Sequence, residues 1–470
     1  MEDLLHLGPA LAEEGSPGAA RALVTYRRLD GPDPAYRYLL SAARWRPMER
    51  ALKQGAARRL GIATEGLREL DDYLSLGPVE QYLSQSGRCC FRGLVYEDLH
   101  RLQLDLETTD LDPAAGRIFM AALSDSRGWS AVLEAPAEED EPRLIRDLCA
   151  LVRDRDPDII ENHNLFGFDL PFLEARAASF GLPLALGRPP GPPLLQRQGE
   201  PPPGSSGRRR DPRYTVAGRE CVDTLEAVRR HDFVARDLPS HGLKDVARHF
   251  GVARPERTYL AGSRIFATYR QDPQTVRRYA LDDVAEVEAL SRRLMGAPFA
   301  LAGMSPRRYE RVASAGPATG ILEPILIRAY LRAGAAPPFG AARAEAGLAD
   351  HTGGATVLYA AGLARRVVKV DIASMYPSIM RSYGIGPACD PLGALLHVVS
   401  RMTELRLSHK DALRLALPGS LERGYHDAMQ AAMKLLINSA YGYMAAGSLA
   451  LFADRRAADA VTAKGRSLLA

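Results

Sequence analysis

Leu102-Gln103-Leu104-Asp105-Leu106-Glu107-Thr108-Thr109 opens on an unbroken alternation of apolar and polar residues, the period-two pattern of a β-strand with one face in a core. The leucines leave one face, and Gln103, Asp105 and Glu107 leave the other. Two carboxylates two residues apart on a strand project together and can share a cation. Apolar segments at Ile118–Leu123 and Trp129–Leu133 extend this strand into a meander, followed by a helical pattern over Pro142–Arg153 and a short strand at Asp158–Glu161. The order predicts an α/β domain. Asp272 and Pro273 supply the N-cap and first-turn proline of a long helix ending about Leu294. At roughly 100° per residue, Val276, Val287 and Leu294 form its apolar stripe; Asp283 falls within about 20° of the centre, while Asp282 points away. A carboxylate on a buried face needs a cation or strong donors. Tyr279, one turn earlier, projects beside it.

Asn164 and Asp169, in the run N-H-N-L-F-G-F-D, complete a set of four acids, a tyrosine and an amide. Oxygen donors without a His/Cys cluster point to a hard cation, Mg²⁺ or Mn²⁺, two per site, rather than zinc. Paired hard cations about 4 Å apart suit phosphodiester hydrolysis. Asp223 and Glu226 are spaced as a helix-capping box, and His163 reads as a surface or supporting residue.

The 470 residues allow about three domains. With 46% hydrophobic and 25% charged residues, the composition excludes a largely disordered or fibrous chain. Net charge is +4, from 61 Lys plus Arg against 57 Asp plus Glu, yet only six of the cations are lysine (53, 244, 369, 410, 434 and 464). The arginine excess, with abundant Ala, Gly and Pro, reads as coding bias, so each lysine carries more information. Five irregularly spaced cysteines exclude a disulfide scaffold and, without a C-x-x-C pair, a cysteine zinc site. A Met-Glu-Asp start and the lack of a long apolar run predict neither signal peptide nor membrane span, hence a cytoplasmic protein, nucleoid-associated if prokaryotic.

A second constellation follows a Gly/Ala/Pro-rich connector over 334–354. An apolar strand over Val367–Ile372 ends at Asp371, with Ser374, Tyr376 and Pro377 just beyond. Two long helical patterns separated by Pro418-Gly419 predict a helical hairpin. On the second, Met429, Met433, Leu436, Ile437, Ala440 and Met444 form the apolar stripe, while Lys434, Asn438 and Tyr441 align on another flank. Arg406 and Lys410 stand at i, i+4 on the first. A cation, an amide and a phenol along one side of a helix can read phosphate and sugar.

These residues carry a resemblance. D-L-E-T-T at 105–109, N-L-F-G-F-D at 164–169 and Y-A-L-D-D at 279–283 resemble, in order and spacing, the three exonuclease motifs of the family B (alpha-like, elongation-subunit) DNA polymerases. D-I-A-S-M-Y-P-S at 371–378 resembles their palm motif A, K-L-L-I-N-S-A-Y-G at 434–442 their fingers motif B, and R-x-x-x-K at 406–410 their triphosphate-binding pair. The resemblance implies an α/β, α+β multidomain protein: a ribonuclease H-like 3′–5′ exonuclease domain plus a partial palm and helical-hairpin fingers. It implies that Asp105, Glu107, Asp169 and Asp283 bind two metals, Tyr279 orients the attacking water and Asn164 positions the terminal nucleotide. Asp371 would bind the polymerase metals, Tyr376 would pack under the sugar, and Arg406, Lys410 and Lys434 would hold the triphosphate supported by Asn438, with Ser374 and Tyr441 also at the substrate. Primer-template DNA and dNTPs are the expected partners, with a sliding clamp as an additional candidate and no membrane.

The expected domains are an N-terminal one over 1–90, the exonuclease over 91–295 with a disordered insertion at about 187–212, a connector and first palm segment over 296–388, fingers over 389–445, and the start of a second palm segment over 446–470. The family's Asp-Thr-Asp palm motif is not found after Gly442. This predicts a polymerase truncated before its second palm aspartate and thumb; the alternative is a stand-alone 3′–5′ exonuclease with a vestigial polymerase region.

Overall fold

The computed structural model describes residues 11–61, 73–189, 194–197, 212–339, 358, 360–363, 365–368, 372 and 374–469. A small sheet comes first: β1 (Leu11–Glu13) runs parallel to β2 (Val24–Arg28), which pairs antiparallel with β3 (Tyr38–Ser41). Helix α1 (Trp45–Leu60) lays Met48, Leu52 and Ala56 on Val24 and Tyr26, and α2 (Pro78–Ser86) ends at Gly87, whose φ of 71° suits a residue without a side chain.

The quoted strand is the centre of the next sheet. β4 (Arg101–Thr108), β5 (Ile118–Asp125) and β6 (Ser130–Glu134) form the expected antiparallel meander. After α3 (Glu141–Arg155), β7 (Ile159–Asn162) pairs parallel with β4. α4 (Leu170–Ser179) follows, then β8 (Leu195–Arg197) pairs antiparallel with β9 (Arg213–Thr215). β10 (Glu220–Asp223) completes the sheet in the order β10-β7-β4-β5-β6. Leu102, Leu104 and Leu106 bury against Ile145 and Leu148 of α3 and Phe172 and Leu173 of α4.

Alternation alone leaves the polar face of β4 half exposed, but the structure covers it. Beyond α5 (Thr224–Ala235), α6 (Leu243–His249) and α7 (Ile265–Gln271), helix α8 (Pro273–Leu294) packs across β4 and β5 on that side. Arg101 and Gln103 are therefore buried, and both donate to Glu161 of β7, at 3.0 and 2.7 Å; Ser291 of α8 donates to its other oxygen at 2.5 Å. Buried polar groups persist only when satisfied in this way. The network is the floor on which the acids stand.

Past α8 the chain continues as α9 (Gly296–Ala302), α10 (Tyr309–Ser314) and α11 (Glu323–Ala333), then α12 (Met375–Tyr383), α13 (Ala394–Leu415), α14 (Leu421–Met444) and α15 (Arg455–Leu469). One apolar core joins them, with Phe299, Tyr309, Tyr330, Met380, Met433, Leu436, Phe452 and Val461 at its centre. α13 and α14 form the predicted hairpin; the turn falls at Pro418-Gly419, and Ser420 caps α14 by accepting from Arg423 N.

Two expectations are corrected. The insertion at about 187–212, read as disordered, contains the strand Leu195–Arg197, and the adjoining Leu194 is buried and ties the run to the domain; most of the remainder lies outside the described residues. The strand expected over Val367–Ile372 is not observed at Val367, Val368 or Ile372, which are exposed and unpaired in any sheet, while 369–371 lie outside the described residues. Apolar composition could not place that segment without a partner strand. Among the described residues no helix is long and apolar enough to cross a membrane.

Candidate functional site

Asp105 and Glu107 leave the covered face of β4, and Asp283 descends onto them from α8. Carboxylate oxygens of all three lie within 4.8 Å of one another. Asp169 meets the end of the same strand: it is buried at the last position of a π-helical turn, Leu165–Asp169, and accepts from Leu106 N at 3.3 Å. Asn162, at the end of β7, donates to Asp105 at 3.1 Å, and its own side-chain oxygen is buried with no hydrogen-bond partner among the described residues. Burial first, then the Asp283 charge, push Asp105 up to about 7. Glu107 is raised well above the ordinary range by burial and Asp105, Asp169 by burial and Asp105, and Asp283 by burial. Four desolvated acids and the Asn162 side-chain oxygen make a pocket of oxygen donors with an excess of negative charge, which fits a hard divalent cation.

Two cations partly answer that charge, and sequence reasoning did not assign either to the site. The Arg257 side chain is almost fully buried; it donates to Asp283 and lies 2.7 Å from Glu286. Lys244, at the start of α6, donates to the Tyr279 hydroxyl and stands 3.9 Å from Asp283. Tyr279 is thus held beside Asp283 with its oxygen toward the acids; its hydroxyl is raised by burial and by Asp283. Asp282 turns away, as expected, accepting from Thr258 N at 3.0 Å. Lys244 did stand out in the sequence as one of six lysines; Arg257, among many arginines, gave no signal, and Asn162 lay one residue beyond the strand read at 158–161.

Asn164 enters the π-turn with φ 75°, a left-handed conformation that asparagine tolerates. Gly167 lies directly beneath it, and a methyl group there would come within 2.3 Å of the Asn164 oxygen. Gly167→Ala therefore displaces that side chain while leaving the backbone turn in place; we expect an activity loss of about tenfold or more, matching Asn164→Ala, with the melting temperature nearly unchanged.

Asp223 caps α5 through Leu225 N at 2.9 Å but does not form the expected box: it also accepts from Asn164 N and Phe166 N, tying α5 to the π-turn, and Glu226 instead pairs with Arg213 of β9. His163 is half-buried between Thr224 (3.1 Å) and the His241 carbonyl (2.8 Å), and burial holds its imidazole down at about 4 rather than 6.5. Unfolding lets it take up a proton across that interval, so stability falls as pH drops from 6.5 towards 4. His163→Gln should remove about 2 kcal/mol of that pH dependence, read from denaturant melts at pH 4.5 and 7.

In the second constellation, Tyr376 of α12 and Tyr441 of α14 meet ring to ring at 4.3 Å, and Ser374 starts α12 in the left-handed region, its carbonyl accepting from Ser378 N. Lys434 and Asn438 stand exposed one turn apart on α14; Arg406 and Lys410 are half-buried, one turn apart on α13. Asp371 lies outside the described residues.

Profiles of known families match both halves: the RNase H superfamily over residues 102–294 and DNA polymerase family B over 390–470. DNA polymerase 2 of Aeropyrum pernix is 30% identical over 389 residues, 76% of this chain and 45% of that protein. The chain belongs to the family B DNA polymerases. A DNA polymerase of Archaeoglobus fulgidus is 27% identical over 350 residues, 70% of this family B chain and 42% of the relative. The family B polymerase of Pyrobaculum calidifontis superimposes with a TM-score of 0.67 over 95% of this chain and 62% of its own, at 22% identity. The chain spans about half the length of the curated relatives it matches. Within this family B chain, the RNase H match contains Asp105, Glu107, Asp169 and Asp283, and the polymerase match contains the α13–α14 hairpin.

Proposed function

We propose that the α/β domain is a 3′–5′ exonuclease acting on the primer end of DNA, and that the helical hairpin with Tyr376 receives the dNTP of a DNA-polymerising site. The observation that supports this best is the convergence of Asp105, Glu107 and Asp283, with Asp169 behind them, in a buried oxygen-only pocket of an RNase H-like sheet.

Two Mg²⁺ or Mn²⁺ ions held by those four carboxylates would supply Lewis acidity and a water that ionises near neutral pH. The reaction is hydrolysis of the last phosphodiester: the water oxygen bonds to phosphorus, the P–O3′ bond breaks, and a 5′-nucleoside monophosphate leaves a new 3′-hydroxyl. The Tyr279 hydroxyl, fixed by Lys244, orients the water; Asn164 positions the terminal nucleotide; Arg257 pins Asp283 against repulsion from its neighbours. In the polymerase half, the Tyr376 ring offers a surface for the incoming sugar, Arg406, Lys410 and Lys434 answer triphosphate charge with Asn438 and Ser374 beside them, Tyr441 backs Tyr376, and Asp371 would hold the metals of that site. An exonuclease alone would leave these residues without a role. We infer a cytoplasmic protein, nucleoid-associated if prokaryotic, that works on DNA in replication or repair; the sliding-clamp assignment rests on the family resemblance.

The test is end polarity. A single strand labelled at its 5′ end, given Mg²⁺, should shorten stepwise to a ladder, and the same strand labelled at its 3′ end should release labelled mononucleotide at once. Release of nucleotides from the 5′ end, or none from either, would contradict the assignment.

A further inference from the structure

A third group of ligand-type side chains lies outside both constellations, where α5 turns into α6. We infer that His231, Asp237 and His249 form a zinc site. His231 lies near the end of α5, Asp237 just beyond it, after Arg236 has turned the chain through the left-handed region (φ 54°), and His249 is the last residue of α6. Each imidazole aims its Nε2 at a different oxygen of the Asp237 carboxylate, His231 at 3.4 Å and His249 at 3.5 Å, and the three ligand atoms lie within 4.8 Å of one another. Phe250 packs edge-on against both rings, with centroids 5.0 and 5.1 Å away, and so fixes their directions.

The distances decide between an ion pair and a metal site. N–H···O hydrogen bonds cluster near 2.9–3.0 Å and reach about 3.2 Å, so both contacts are too long to be good ones. Around an ion with ligands at about 2.0–2.2 Å in tetrahedral geometry, neighbouring ligand atoms stand about 3.4 Å apart. The His231 Nε2 is moreover buried and has no hydrogen-bond partner among the described residues. Two imidazoles and one carboxylate suit zinc, whereas the oxygen-only pocket suits magnesium, so the two sites sort different ions. The residues are about one-third to one-half exposed, which leaves an entry path and a fourth position for water. The ion would tie the C-terminal end of α6 to α5, and α6 carries Lys244 at its other end, the residue that holds Tyr279.

The metal-stripped full chain titrated with Co²⁺ should develop the visible absorption of a tetrahedral complex at one equivalent, and Zn²⁺ should abolish it. His231→Ala and His249→Ala should each weaken Co²⁺ binding at least tenfold, while Asp105→Asn/Glu107→Gln, and His409→Ala at the separate imidazole contact with His426, keep the band. Asp237→Asn, which can retain its packing, should lose the rise in melting temperature that Zn²⁺ gives the unmodified chain. No band in the unmodified chain, a band that survives His249→Ala, or an unchanged zinc effect in a folded Asp237→Asn would each overturn the assignment.

Discussion

Asp105→Ala combined with Glu107→Ala should reduce Mg²⁺-dependent removal of a mispaired 3′ nucleotide by about a thousandfold or more, a loss of about 4 kcal/mol in transition-state stabilisation. Both side chains leave the same face of β4 and share their neighbourhood with Asp283, so removing them takes away two of the three clustered ligands at once. Quenched-flow release of the mispaired nucleotide measures the effect, and circular dichroism shows that the fold is kept. Undiminished hydrolysis would mean that the acids are structural.

Stability should move the other way. Without metal, Asp105, Glu107 and Asp169 are buried acids that repel one another, and all are raised above their ordinary range. An unfolded Asp105 loses its proton near 3.8, the folded one at about 7. Between those values the folded state holds the extra proton, so stability falls as pH rises from about 4 to 7 and stays reduced above 7. Asp105→Asn removes that penalty while its amide oxygen can still accept from Asn162. In EDTA at pH 8 the variant should therefore be more stable than the unmodified chain by about 2–4 kcal/mol, and the gain should vanish near pH 4. Mg²⁺ should reverse the order, because it stabilises only the chain that retains its ligands. Equal melting temperatures in EDTA at pH 8 would show that Arg257 and Lys244 already neutralise the cluster.

The sequence carries these acids clearly because regular elements encode direction. Strand parity places Asp105 with Glu107, and helical arithmetic separates Asp283 from Asp282; the structure agrees on both. Lys244 and Arg257 escaped that logic. Arg257 belongs to a stretch between helices with no periodicity, and only tertiary packing carries it to Asp283. The covering of Gln103 and Arg101 was hidden for a related reason: alternation marks which face is polar but not whether a helix with complementary Ser291 and Glu288 lies upon it. Glu226 shows the limit of local motifs, since a capping spacing loses to an arginine from the neighbouring hairpin. In the polymerase half the hairpin and its turn were legible from Pro418-Gly419 and two apolar stripes, whereas the Tyr376–Tyr441 contact joins elements 65 positions apart in the chain and has no local signature.

As a site of nucleic-acid hydrolysis, the carboxylate pocket should hold divalent metal at the end of a bound strand. Anomalous diffraction from a crystal of the full chain soaked in Mn²⁺ with a short single strand tests it most directly. Manganese peaks should be bracketed by Asp105, Glu107, Asp169 and Asp283, with the 3′ end of the strand beside Tyr279. A crystal with the strand's 3′ end elsewhere and no manganese among these acids would contradict it.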